Sequence, residues 1–158
     1  MSHPNMEKAH NSKLPFPTEM NSIPDLRVIL IDDNEIDLLL HEKLIDLQQI
    51  SKTVLSFVNA NKALEFLSSN ITLPRIPPTI ILLDIQMPEM DGFEFLQAFD
   101  SYPHKIKSQC HIVMVSSSLD YGDITRTNAN PMVVKLLRKP LLVKELKETV
   151  AIIFKDFI

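Results

Sequence analysis

The sequence predicts an α/β protein with a doubly wound, five-stranded parallel sheet in a single domain. Five short apolar runs alternate with stretches of helical periodicity, and short loops join them. The runs lack the alternation of apolar and polar residues, which is typical of strands buried on both faces of a parallel sheet. A length of 158 residues suits one domain with a substantial core.

The five apolar runs are the predicted strands, and they lie at residues 26–31, 53–58, 79–84, 111–116 and 133–137. The third run attracts attention because an acid, Asp84, ends its apolar stretch and Met87-Pro88 follows shortly after. Charged residues are rarely buried without a partner, so an acid at the end of a buried strand indicates a functional role.

Helical spacing follows each strand. Asn34 is a suitable N-cap for the first helix, whose predicted buried stripe is Ile36, Leu40, Leu44 and Leu47. The second helix, at 61–69, is predicted to bury Ala63, Leu64 and Leu67, and the third spans 93–99. A polar fourth helix is expected at 119–130, and the last helix carries the stripe Leu142, Leu146, Val150, Ile153 and Phe157.

Residues 1–25 contain four prolines and few periodic apolar positions, so we expect a flexible leader before a folded domain at 26–158. The net charge of −4 argues against a nucleic-acid partner. No apolar run reaches the ~18–20 residues of a membrane span, and no secretory signal is apparent, so we expect a cytoplasmic protein. The single Cys110 excludes an internal disulfide and is predicted to be a buried thiol.

Polar residues stand at the ends of four predicted strands: Asp32 with Asp33, Asp84, Ser116 and Lys139. In a parallel sheet these ends share one edge, which is where ligands bind. Two carboxylates ~5 Å apart repel by about 3 kcal/mol at an effective dielectric constant near 20, and one lysine cannot relieve three of them. A hard cation such as Mg²⁺ can, and a carboxylate beside it is a competent nucleophile. Alternatively, the paired acids only favour a helix N-terminus.

The chain resembles the receiver domain of two-component response regulators in four motifs that occur in order. They are "ILIDDNEID" at 29–37, "ILLDIQMPEMDGFEFL" at 81–96, "IVMVSSS" at 112–118 and "LRKPL" at 137–141. The resemblance extends over residues 26–158. It implies a flavodoxin-like sheet of strand order 2-1-3-4-5 and a cis Lys139–Pro140 bond, which proline permits at low cost.

The resemblance also implies the chemistry of the site. Asp84 would accept a phosphoryl group from a phosphohistidine on a sensor kinase or a phosphotransfer protein. Asp33, Asp84 and the backbone carbonyl of Gln86 would hold Mg²⁺, with Asp32 acting largely through water. Ser116 and Lys139 would bind the phosphoryl oxygens. Gly92 is expected to allow a turn in the loop after the acceptor.

Two positions depart from the usual pattern of that family. Leu136 stands where many receivers have an aromatic residue that turns inward on phosphorylation, and Ser116 stands where threonine is more frequent. We expect the hydroxyl chemistry to persist. The predicted fourth helix contains Gly122 and other weak helix formers, so we expect phosphorylation to shift it.

Because the sequence ends soon after the last helix, we expect a stand-alone receiver that signals through an unknown downstream protein, a homodimer or onward transfer. It would be a phosphoacceptor with no separate substrate, rather than an enzyme. Two alternatives stay open. One is a receiver-like binding module that never carries phosphate, which Leu136 favours. The other is a hydrolase of small phosphate esters, although Gln86 stands where such enzymes usually carry a second acid.

Overall fold

A computed structural model describes residues 23–155, in which strands and helices alternate as the sequence predicts. The strands are β1 (Arg27–Ile31), β2 (Thr53–Phe57), β3 (Thr79–Asp84), β4 (Cys110–Ser116) and β5 (Val133–Arg138). The helices are α1 (Glu35–Leu47), α2 (Ala60–Ser69), α3 (Gly92–Asp100), α4 (His104–Lys107), α5 (Tyr121–Ala129) and α6 (Val143–Ile153). The sequence pattern does not predict α4 or the 3-10 turn at Asn70–Thr72, because such short elements show no periodicity.

The five strands form one parallel sheet in the order β2-β1-β3-β4-β5, which confirms the flavodoxin-like prediction. The second and third strands lie on opposite sides of β1, so the order of winding changes beside that strand. In the sheet Ile31 is level with Leu83, and Asp84 is level with Val115. This register brings the segments that leave β1, β3 and β4 to one edge of the sheet.

Two apolar clusters cover the two faces of the sheet. One contains Val28, Leu30 and Leu82 with Ile45, and the other contains Ile29 and its neighbours on the opposite face. All five residues of β1 and all six of β3 are buried, as predicted for strands covered on both faces. The predicted inward residues of α2 are confirmed: Ala63, Leu64 and Leu67 are buried.

The predicted buried face of α1 is wrong. The helix buries Leu38, His41 and Ile45, whereas Ile36, Leu40 and Leu47 are 70%, 57% and 74% exposed, and Leu44 is partly buried. The helix carries two apolar stripes, so spacing alone cannot choose between them. Tertiary packing makes the choice, because Leu38 and Ile45 join the first apolar cluster against the sheet.

The predicted stripe of α6 is confirmed in its centre, where Leu146 and Val150 are buried. Leu142 is 55% exposed because it precedes the helix as its N-cap. Phe154 is buried and meets the ring of His111 edge-to-face, with ring centroids 5.3 Å apart. Phe157 lies outside the described residues. Ile23, within the predicted leader, is buried in the first apolar cluster.

Within residues 23–155, no helix combines the length and the apolar character that crossing a membrane would require. Cys110 is the first residue of β4, at the amino end of the strand, and is partly buried. Burial raises the pKa of its thiol to about 12, and the nearby Arg27 guanidinium opposes the rise only in part. The thiol is therefore protonated at neutral pH, as expected for an unreactive cysteine, although it is less buried than the sequence predicted.

Gly92 is needed for close packing rather than for a turn. Its φ is not positive, and the left-handed residue of this loop is Glu89, with φ 68°. A Cβ at Gly92 would lie 2.6 Å from the Asp84 carbonyl oxygen and 2.8 Å from the Met114 side chain. The glycine lets the start of α3 press against the end of β3, next to the predicted site.

We expect Gly92→Ala to lower the free energy of unfolding by about 2 kcal/mol, because backbone must move to admit the methyl group. The other glycine of the chain is the matched control. A Cβ at Gly122 would approach only the Asp120 side chain, at 3.3 Å, and no backbone, so Gly122→Ala should change stability by less than about 1 kcal/mol. Urea denaturation of both variants measures this. Equal losses in the two variants would contradict the packing explanation.

Candidate functional site

Four chain segments meet at the carboxyl edge of the sheet, and backbone hydrogen bonds extend the strand pairing past the strand ends. Three backbone N–H groups donate to backbone carbonyl oxygens of neighbouring strands: Asp32 to Phe57 (3.1 Å), Ile85 to Val115 (3.2 Å) and Lys139 to Ser116 (2.8 Å). The predicted site residues on these segments are therefore held side by side by the backbone.

Asp32, Asp33 and Asp84 form a cluster of carboxylates. Each offers an oxygen that lies within 4.8 Å of the oxygens of the other two. Asp32 and Asp84 are buried, at 3% and 6% exposed, whereas Asp33 faces solvent. Three carboxylates at this separation, with one open to water, suit a small divalent cation that keeps part of its hydration shell.

The ammonium group of Lys139 sits among acids. Its Nζ lies 2.7 Å from Asp32 Oδ2, 2.9 Å from Asp37 Oδ2 and 3.4 Å from Asp84 Oδ1, and the side chain is only 11% exposed. Burial acts to lower the pKa of this lysine, but the three carboxylates outweigh it and raise the pKa, so the charge is retained. The sequence predicts that Lys139 and Asp84 meet at one edge of the sheet, and the 3.4 Å contact between them is consistent with this prediction.

Asp37 is the member of this group that sequence reasoning missed. It lies in the first turn of α1, 102 residues before Lys139, and no local motif links the two. The usable signal was its place in the turn that Asn34 caps, because that turn starts just after the strand-end pair Asp32-Asp33. In the folded protein this turn lies next to the loop after β5, and Asp37 therefore contacts Lys139.

Burial raises the pKa of Asp84 to about 7, and the Asp32 carboxylate adds to the increase. The ammonium of Lys139 opposes both effects without cancelling them. Asp33 also contributes to the rise. The negative charge of Asp84 is thus incompletely compensated, and a bound cation would stabilise it.

The comparisons with known proteins identify the family of this chain. The family model described as "Response regulator receiver domain" matches residues 28–151. The chain belongs to the response regulator receiver domain family.

Solved receivers share the fold along most of their length. A response regulator receiver protein from Dyadobacter fermentans is 35% identical in sequence to this chain, with a TM-score of 0.75. The aligned region covers 82% of this chain and 98% of the Dyadobacter chain. A two-component response regulator from Cytophaga hutchinsonii is 28% identical with a TM-score of 0.75, over 82% and 97% of the two chains.

A curated relative from Treponema denticola, named protein-glutamate methylesterase/protein-glutamine glutaminase, is 33% identical over 98 residues. The match spans 62% of this chain but 24% of the relative, so this receiver corresponds to about a quarter of that protein.

Ser116 is buried at the end of β4, and its hydroxyl group forms hydrogen bonds with the backbone of the loop that follows. Its Oγ donates to the Ser118 carbonyl at 2.6 Å and accepts the Ser118 N–H at 3.3 Å. Binding a ligand oxygen would require this hydrogen bond to be exchanged. Gln86, whose backbone carbonyl the resemblance implies as a Mg²⁺ ligand, is exposed in the loop that follows β3.

A cavity of about 470 Å³ opens in this receiver beside Gln86, between the loop after β3 and the start of α5. Phe93 and Arg126 contribute to its wall, and the guanidinium lies 3.8 Å above the centre of the ring. This cation–π contact ties α5 to α3. The cis Lys139–Pro140 bond that the resemblance implied is present.

We expect Asp84→Asn to stabilise this receiver at pH 8 by on the order of 2 kcal/mol, because the substitution removes a buried charge. The Asp84 pKa is raised in the folded state, so native protein binds more protons than unfolded chain between pH ~4 and ~7. The charge therefore reduces stability as pH rises through this window, and the advantage of the variant should vanish near pH 4.

Thermal unfolding of wild type, Asp84→Asn and the surface control Asp46→Asn across pH 4–8 measures the effect. An Asp84→Asn variant that is no more stable than wild type at pH 8 would refute the claim that the carboxylate is strained.

Proposed function

We propose that Asp84 accepts a phosphoryl group from a phosphohistidine of a sensor histidine kinase or a histidine phosphotransfer protein. The observation that carries the proposal is the placement of Asp84 between a cluster of acids and the Lys139 ammonium, 3.4 Å away. Although burial raises its pKa to about 7, Asp84 is still ionised in part near neutral pH, and this ionised form is the nucleophile.

In the transfer step an Asp84 carboxylate oxygen attacks phosphorus, and the new P–O bond forms as the P–N bond of phosphohistidine breaks. The electron pair of that bond stays on the leaving imidazole nitrogen, which takes up a proton. Water later attacks the acyl phosphate, releases inorganic phosphate and regenerates the carboxylate. The protein acts as a phosphoacceptor that assists both steps, with no separate substrate.

Asp32, Asp33 and Asp84 are the side chains that fit Mg²⁺, because they supply hard carboxylate oxygens at one edge, one of them open to solvent. The backbone carbonyl of Gln86 is the further ligand that we propose, with Asp32 acting largely through water. When bound, the ion would neutralise charge on the phosphoryl oxygens.

Two more side chains complete the proposed site. Lys139 would direct its ammonium at one phosphoryl oxygen, a short displacement from its present contact with Asp84. Ser116 would turn its hydroxyl from the Ser118 carbonyl to another oxygen. The exchange of that hydrogen bond would release residue 118 and the loop that leads into α5.

We propose that this loop movement alters a protein-binding surface that includes α5. Tyr121 and Val134 already expose apolar side chains there, at 85% and 42% of their surface. Leu136 is partly buried against the second apolar cluster, so the readout would proceed without an aromatic side chain at that position. The partner is an unknown downstream protein or a second copy of this chain.

A binding module that never carries phosphate is the second candidate, and the packing of Leu136 is the observation that favours it. A static leucine would leave the domain as a fixed docking surface. The buried charges at Asp84 and Lys139 argue against this candidate, because a protein selected only for binding gains nothing from a costly ionic cluster.

With Mg²⁺ and acetyl phosphate, we expect the intact protein to gain one phosphoryl group, measured by mass spectrometry. Asp84→Ala should gain none, because the acceptor carboxylate is absent. Asp46→Ala, which removes an exposed acid from α1, should be labelled like wild type. Chelation of Mg²⁺ should abolish labelling.

A wild-type protein that gains no mass would contradict the proposal and favour the binding module. Continuous release of phosphate at many turnovers would favour the hydrolase that the sequence left open.

A further inference from the structure

We propose that Asp37 is a positioning residue that holds the Lys139 ammonium within reach of the phosphoryl group. This inference rests on the proposed phosphorylation of Asp84 and adds to it a residue outside the predicted site. Asp37 acts through Lys139 and touches no reacting atom.

The contacts of Lys139 set Asp37 apart from its neighbours. An ammonium group has three hydrogens, and the three carboxylates around Nζ belong to Asp32, Asp37 and Asp84. Asp32 and Asp84 also belong to the carboxylate cluster that fits a cation, whereas Asp37 does not. Asp37 is thus the partner that stays available to Lys139 when the cluster is engaged.

The backbone fixes both ends of the Asp37–Lys139 pair. The N–H of Asp37 donates to the Asn34 side chain at 3.2 Å, which locks this residue into the capped first turn of α1. Leu38, the next residue, anchors the turn in the core. The N–H of Lys139 donates to the Ser116 carbonyl, so the backbone positions from which the 2.9 Å ion pair forms are both fixed.

Esterification of Asp84 moves negative charge from its carboxylate to the phosphoryl oxygens. Lys139 must then exchange its 3.4 Å contact with Asp84 for one of those oxygens. Asp37 keeps the ammonium at the site during this exchange. Without Asp37, the remaining ion-pair partners of Lys139 among the described residues are the two cluster carboxylates, with which a cation competes.

Glu35 provides a matched control for the charge of Asp37. It lies in the same acidic first turn of α1, near the positive end of the helix dipole, but it is exposed and no ion pair joins it to Lys139. Asp37→Asn and Glu35→Gln therefore remove the same charge from the same turn, and only the first breaks the contact.

The test measures the rate constant of phosphorylation by acetyl phosphate at saturating Mg²⁺, with thermal unfolding to verify that each variant folds. We expect Asp37→Asn to slow the reaction about tenfold, which corresponds to the loss of one coupled ionic contact. Glu35→Gln should stay within about twofold of wild type. Asp37→Glu, which keeps a carboxylate, should recover part of the rate.

A double-mutant cycle distinguishes positioning from a general effect. In a Lys139→Ala background, Asp37→Asn should change the rate constant less than about twofold, because the residue through which it acts is gone. An undiminished effect in that background, or equal rates for Asp37→Asn and Glu35→Gln, would overturn this inference alone. Failure of the wild type to be phosphorylated would instead overturn the proposed function.

Discussion

The ion pairs of Lys139 are the interaction on which the site depends. Two buried carboxylates and a third exposed one meet within a few ångströms, and the ammonium is the positive charge that lets the buried pair coexist. Removing the ammonium, the positive partner of the group, would cost about 3–5 kcal/mol, because the buried carboxylates would be left uncompensated. One ammonium does not balance the cluster, and burial together with the Asp32 carboxylate raises the pKa of Asp84.

The strand order makes this arrangement unavoidable. Because β1 and β3 are neighbours in register, the residues that follow Ile31 and Leu83 must emerge together. The loop after β5 reaches the same edge through the hydrogen bond from Lys139 to Ser116. The electrostatic strain is thus imposed by an apolar sheet whose two faces are covered, and the sheet is rigid enough to sustain it.

The sequence predicted the strands, their parallel arrangement and the meeting of the acids with Lys139, because strand runs and strand-end residues are local features. It could not select the buried face of α1, where two apolar stripes compete and tertiary packing chose Leu38 and Ile45. It missed Asp37, since a contact across 102 residues leaves no local trace. The role of Gly92 was assigned to a turn because close packing against Asp84 is visible only in three dimensions.

The site is held under charge repulsion that a bound cation would relieve, and the cation and Lys139 together would balance the charge that a phosphoryl group adds. The most direct measurement of this idea is a crystal structure with Mg²⁺ and beryllofluoride, a mimic of the phosphoryl group. We expect one ion among Asp33, Asp84 and the Gln86 carbonyl, with Lys139 moved onto a fluorine and still paired with Asp37. Beryllofluoride bound away from Asp84, or Lys139 still paired with the Asp84 carboxylate, would contradict it.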